Sequence, residues 1–340
     1  MARSWRRGLP LLLTLLIFVP LSSAGQPTHN RVSAAALSEL EAEAQRISRL
    51  HNVVVAERGE IILDLQLAEP SSDQPVNIKS LSKTVLAALV GAAIETELIE
   101  GVDQPIVELL ASRVPDGADP RIADITVEHL LAQQAGLERT SGQYYGAWVA
   151  SRDWVAYALS RPFVDRPGGR MLYSTGSSHL LSAALTDATG ENTLALARRL
   201  LGAPLDITIP PWPQDPQGIY FGGNDMLLSP LALIRLGELY RHDGVIDGRR
   251  VLPEGWVEAS WQPRGTSRWT GDAYGYGWFI TTLGEERVLY GRGFGGQALY
   301  VVPEKELTVA FTADPSPGAD GSPFRQELLH RLMARLLETP

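Results

Sequence analysis

Residues 80–99 read SLSKTVLAALVGAAIETELI, a stretch apolar on nearly every side that follows a polar loop. It describes a buried helix, because a surface helix keeps one polar face. Its opening breaks the rule: Ser80 and Lys83 stand at i and i+3, on one helix face and within reach of a shared site. The choice of lysine is informative, since the chain has 30 basic residues and its only lysines are Lys79, Lys83 and Lys305. Arginine stays protonated in proteins, whereas a buried lysine can lose its proton and accept one from a hydroxyl. Lys83 can therefore activate Ser80 as a nucleophile. A bare S-x-x-K tetrapeptide equally describes a lysine that snorkels to solvent beside a helix-cap serine. Lys79 reads as a solvated neighbour.

Outward from this helix the pattern changes type twice. Upstream, Val32 to Leu50 has helical spacing of Leu37, Leu40, Ala44 and Ile47, and Val53–Val55 and Ile61–Leu63 form a hairpin across residues 57–60. Downstream, helices are expected after the Thr126 cap up to Gly136, over Trp154 to Leu159, Gly176 to Leu201 and Ser229 to Arg241. From about Ala273 the runs turn β-rich, at Tyr276–Thr281, Arg287–Tyr290, Gln297–Val302 and Leu307–Thr312, and a helix over about 323–337 closes the chain. Short β-to-β links argue for antiparallel pairing. The fold class is α+β: one antiparallel sheet built from both chain ends (about 25–78 and 268–340), flanked by helices, with an inserted mainly helical lobe (about 79–267).

Composition narrows the chemistry. With 340 residues, 44% apolar and 20% charged, the chain can bury a large core. It has no cysteine, which excludes disulfides, thiolate metal sites and a cysteine nucleophile. Arg3, Arg6 and Arg7, the apolar run Leu9–Leu21 and the small residues Ser22, Ser23 and Ala24 read as a secretory signal, residues 1–24, cut after about Ala24. Pro10, Pro20 and the shortness of the run argue against a spanning anchor. The mature protein, residues 25–340, is then exported to a periplasm or secreted. The net charge of −9 disfavours a nucleic-acid partner, and no metal or organic cofactor is implied.

Two further places carry chemistry. Tyr173, in Tyr173-Ser174-Thr175-Gly176 before a helix, has a hydroxyl that can shuttle a proton between nucleophile and leaving group, or simply pack with one satisfied bond. Gly291, Gly293 and Gly296 satisfy G-x-G-x-x-G, but Gln297–Val302 is a strand pattern, and the dinucleotide fingerprint needs a helix there. A Gly-rich strand edge instead lets backbone approach a substrate, as an oxyanion hole requires, or marks a bulge. None of the six histidines sits in H-E-x-x-H; His129 and His179 read as packed or surface imidazoles. There is no G-x-S-x-G elbow and no Gly-Lys pair for a phosphate loop.

Taken together, Ser80-Leu81-Ser82-Lys83, Thr126–Leu131 before Gly136-Leu137, Pro167-Gly168-Gly169 to Tyr173-Ser174, and Gly295-Gly296-Gln297 before Tyr300-Val301-Val302-Pro303-Glu304 occur in a telling order. In these motifs the mature chain resembles the serine β-lactamase and penicillin-binding-protein superfamily, closest to its class C-like esterase and 6-aminohexanoate-oligomer hydrolase branch. The resemblance implies a β-lactamase/transpeptidase-like fold with Ser80 as acylated nucleophile, Lys83 as base or base partner and Tyr173 as proton shuttle. Gly291-Arg292-Gly293 falls at the family's K-T-G or H-x-G element, which implies an oxyanion hole from the backbone N–H groups of Ser80 and Phe294. Tyr144, Tyr145 and Trp148 would line an acyl pocket, or form a surface patch. The chain departs from the family twice: Thr175 replaces the Asn of Y-x-N, and Gly291 replaces the Lys or His of the third element. Arg292 restores that charge only if it points inward. The expectation is a serine hydrolase acting on a small-molecule ester or amide. Its alternatives are β-lactamase or D-amino-acid peptidase activity, or a non-catalytic binding protein on the same fold. The sequence leaves the oligomeric state open.

Overall fold

The computed structural model describes residues 32–316, Phe324 and residues 326–338; the expected leader and the start of the expected last helix lie outside the described residues. Ser33 caps helix α1 (Ala34–Ala44) through its side chain. Strands β1 (Leu50–Glu57) and β2 (Glu60–Gln66) follow as a hairpin, and α2 (Ser82–Glu95) starts directly after a 3-10 turn, Lys79–Leu81. Short helices lead to α3 (Thr175–Thr189) and α4 (Pro230–Arg241). The chain then returns to the sheet as β3 (Gly265–Thr266), β4 (Ala273–Tyr274), β5 (Phe279–Leu283), β6 (Glu286–Gly293), β7 (Gln297–Val302) and β8 (Leu307–Ala313), and ends in α5 (Gln326–Leu337).

These eight strands make one antiparallel sheet of order β2-β1-β8-β7-β6-β5-β4-β3. The two chain ends join where β1 pairs with β8, with Val53 opposite Phe311 and Val55 opposite Val309. The expected α+β class is the one observed. Side chains alternate between two covered faces. Val54, Leu289, Leu299, Val301 and Ala310 belong to the core shared with α2 and α4, whereas Val53, Val55, Tyr290, Tyr300 and Phe311 belong to the core shared with α1 and α5. Both faces being dry, the central strands read as near-continuous apolar runs.

Three details differ from the sequence reading, each for a local reason. The helix expected over 176–201 breaks after Thr189, where Gly190 (φ 70°) caps it and Asn192 caps the next helix. The strand expected from Tyr276 begins only at Phe279, because Gly277 turns the chain (φ 74°) so that its carbonyl accepts a 2.8 Å bond from Thr84 Oγ1 on α2. Helix α4 falls within the stretch assigned to the helical lobe, yet it packs on β1, β7 and β8.

That packing is tight at Gly237. A Cβ there would fall 2.4 Å from Thr308 Cγ2. Gly237→Ala must push α4 off the sheet, and the expected loss is about 1–3 kcal/mol, read as a lower midpoint in urea denaturation.

Candidate active site

The nucleophile candidate sits at a forced bend. Lys79 adopts a left-handed conformation (φ 52°), with its N–H donating to Asn77 Oδ1 at 2.9 Å. This sets Ser80 in the 3-10 turn rather than inside the α-helix, and Ser80 still stands one turn before Lys83. Lys83 is 4% exposed. Its Nζ lies 3.4 Å from Ser80 Oγ and 3.4 Å from Thr175 Oγ1, and donates to the Gly223 carbonyl at 2.8 Å. Burial lowers its pKa to about 7, with the nearby Asp225 charge pulling weakly the other way. A neutral amine has two N–H bonds and one lone pair. With Gly223 and Thr175 accepting the N–H bonds, the lone pair is left for the Ser80 hydroxyl.

Tyr173 completes the group. Lys83 Nζ sits 4.7 Å from its ring centroid. Burial pushes the Tyr173 phenol up, against smaller opposite effects of a hydrogen bond with Ser80 and of the Arg292 charge. It therefore keeps its proton where Lys83 can lose one. The three groups singled out in the sequence are neighbours in space.

A cavity of about 200 Å3 opens on Ser80, with Tyr173, Trp269, Phe279, Arg292 and Phe294 in its walls. Ser80 and Phe294 thus border one cavity from two different segments. A larger hollow, about 660 Å3, lies between the β1–β2 hairpin and α4, and none of the groups just described lines it.

A family model described as Beta-lactamase matches residues 39–330. The chain belongs to the beta-lactamase family. Solved structures with the same fold include a penicillin-binding protein homologue from Caulobacter crescentus (16% identity, TM-score 0.70, covering 90% of this chain and 96% of that one). A candidate 6-aminohexanoate-dimer hydrolase from Bacillus anthracis matches at 17% identity and TM-score 0.68, covering 88% of this chain and 80% of that one. A family VIII carboxylesterase matches at 15% identity and TM-score 0.70, covering 90% and 97%. The fold is that of a serine hydrolase of the esterase, amidase or penicillin-binding type.

Within this beta-lactamase-family fold the two departures acquire a geometry. Thr175 turns its hydroxyl onto Lys83 and, at 3.0 Å, onto Ser141 Oγ. Gly291, expected to contact substrate, instead faces α2: a Cβ there would fall 2.4 Å from both Leu81 Cδ1 and Thr84 Oγ1. Only glycine lets β6 approach the helix that closely. Gly293 is just as tight, with a Cβ position 2.1 Å from the Ile78 carbonyl oxygen, but it borders the cavity. Arg292, one residue along and so on the opposite face from Gly291, is in the cavity wall, and among the described residues no acid lies within ion-pair distance of it.

The aromatic cluster divides. Trp148 is fully buried, 5.1 Å from Trp154 between ring centroids, with its Nε1 donating to the Trp154 carbonyl, so it is core and neither pocket wall nor surface patch. Tyr145 is half-buried, its hydroxyl 3.5 Å from Asn224 Nδ2.

Sequence reasoning singled out nothing in the Gly222-Gly223-Asn224-Asp225 segment. Besides the Gly223 carbonyl on Lys83, it brings Asn224 Oδ1 to 3.5 Å from Ser80 Oγ. His179 anchors it from behind. The Gly222 N–H donates to His179 Nδ1 (3.2 Å), which forces the ring proton onto Nε2, 2.9 Å from the buried Asp215. Lys79 is no solvated bystander either, since it pairs with Asp225 at 3.0 Å. The signal was the Gly-Gly pair itself, which marks a close backbone approach.

Burial of Lys83 has a thermodynamic sign. Its pKa is about 7 folded and 10.5 free, so between those values the unfolded chain binds more protons and stability rises with pH. The rise is at most about 1.4 kcal/mol per pH unit. Lys83→Met, freed of the buried charge, should be more stable than the parent at pH 7 by roughly 1–3 kcal/mol. Urea denaturation at pH 7 and pH 9 should show that advantage shrinking as pH rises.

Proposed function

We propose that this protein is an exported serine hydrolase that cleaves a small-molecule ester or amide through an acyl-Ser80 intermediate. The observation that carries the reading is the desolvated Lys83 amine, 3.4 Å from Ser80 Oγ and fixed by the Gly223 carbonyl. Ser80 Oγ attacks the substrate carbonyl carbon while its proton passes to Lys83. The backbone N–H groups of Ser80 and Phe294 hold the resulting oxyanion. As the tetrahedral centre collapses, the scissile C–O or C–N bond breaks and Tyr173 gives its proton to the leaving group, receiving one from Lys83 in return. Water then attacks the acyl carbon with Lys83 again as base, releasing the acid and free Ser80.

Export rests on the leader pattern of residues 1–24. A second reading, turnover of a β-lactam or a D-amino-acid peptide, is supported by Arg292 in the cavity wall, a cation available to a substrate carboxylate. A non-catalytic binding protein would keep its ligand affinity in Ser80→Ala. On the hydrolase reading, Ser80→Ala loses both turnover of p-nitrophenyl esters and covalent labelling by a serine-reactive phosphonate, followed by intact mass. The acylation rate of the parent falls about tenfold per pH unit below about 7, and Tyr173→Phe slows it about 100-fold or more. A flat profile from pH 5 to 9, or labelling that survives in Ser80→Ala, would remove the mechanism.

A further inference from the structure

His179 on α3 and Asp215 form a polar pair inside an apolar interior. Neither side chain is exposed, and neither residue lines the cavity of Ser80. Trp148, Trp154 and Phe221 stand around the imidazole, 5.9, 5.4 and 6.0 Å from it between ring centroids. Such a pair carries a desolvation cost that filling the space would not require. Its hydrogen bonds show what it holds.

They run in one direction. Asp215 Oδ1 accepts the backbone N–H groups of Gln217 (2.8 Å) and Ile219 (2.9 Å), which leaves Oδ2 to His179. A carboxylate only accepts, so His179 Nε2 carries the proton and Nδ1 offers the lone pair that the Gly222 N–H meets at 3.2 Å. The next residue, Gly223, sets its carbonyl 2.8 Å from Lys83 Nζ. Close packing stiffens this link: a Cβ would fall 2.4 Å from the Ser178 carbonyl oxygen at Gly222, and 2.5 Å from Ser178 Cβ at Gly223.

We infer that His179 and Asp215 are positioning residues for acylation: the carboxylate fixes the imidazole tautomer, the tautomer fixes Gly222-Gly223, and that segment aims Lys83 at Ser80. The inference rests on the reading of Lys83 as the base. An apolar pair of the same size would fill the interior, but it would leave the Gly222 N–H without its acceptor and the Gly223 carbonyl less tightly held on the amine.

Asp215→Asn tests this with almost no change of shape. The N–H groups of Gln217 and Ile219 keep the amide oxygen where Oδ1 stands, so the NH2 takes the place of Oδ2 and donates to Nε2. The ring proton is then driven to Nδ1, against the Gly222 N–H. Long-range 1H–15N NMR of the histidine rings should find His179 protonated at Nε2 in the parent and at Nδ1 in the variant. Labelling of Ser80 at saturating phosphonate should slow about 100-fold in Asp215→Asn. The half-saturating concentration should move less than about threefold, because neither residue touches the cavity. The parent spectrum is decisive whether or not the variant folds: a His179 protonated at Nδ1 overturns the inference. A folded variant that exchanges tautomer and labels at the parent's rate overturns it as well, as does slower labelling with the tautomer unchanged. A parent that the phosphonate does not label at Ser80 removes the acyl-serine reading, and the inference with it.

Discussion

An amine kept out of water, with one N–H fixed on the Gly223 carbonyl, is the constraint on which the rest of the site depends. Desolvation makes the charged form of Lys83 costly, and the fixed N–H decides where the lone pair of the neutral form points. Neither effect works alone. A buried lysine without an orienting partner would not aim at Ser80, and an oriented but solvated one would remain an ammonium near neutral pH. The surrounding chain serves both needs. Gly277 lies against the Lys83 backbone, with a Cβ position 2.8 Å from its carbonyl oxygen, and Gly223 lies as close to the side chain. Glycine at these places lets two loops close over the start of α2.

The chain tolerates the cost because α2 is buried on all sides. Residues Ser82 to Ala93 are all buried, between the sheet, α3 and the neighbouring helices, and their apolar burial offsets one desolvated amine many times over. The same enclosure explains why Thr175 on α3 reaches Lys83, and why β6 needs glycine at Gly291. The proposed function and stability pull in opposite directions at Lys83, as they do at working sites rather than in packing.

What could be read from the sequence follows from how far apart the interacting residues lie. Ser80 and Lys83 share a turn, so their spacing alone brought them together, and the rarity of lysine set them apart. The sheet was legible because its central strands are dry on both faces, while the two-residue strands β3 and β4 carry too little pattern to be seen. Tyr173 was found as part of a local motif. Asn224 was not, because its approach to Ser80 depends on the tertiary closure of a loop 144 residues away in the chain. Gly291 and Arg292 show the limit most clearly: the motif located both, but only the packing of β6 against Leu81 and Thr84 decides that Arg292, and not Gly291, lines the cavity. Fold likeness at 15–17% identity does not fill such gaps, and the local geometry has to carry the argument.

The central claim concerns the protonation of one residue, and the composition makes it directly observable. With only Lys79, Lys83 and Lys305 to resolve, NMR of the purified protein labelled with 13C at lysine Cε, assigned with Lys79→Arg and Lys305→Arg, follows each amine through a pH titration. Lys83 should change its shift around pH 7. A Lys83 signal that titrates near the ordinary lysine value of 10.5 would show a cation beside Ser80 at neutral pH and contradict the account.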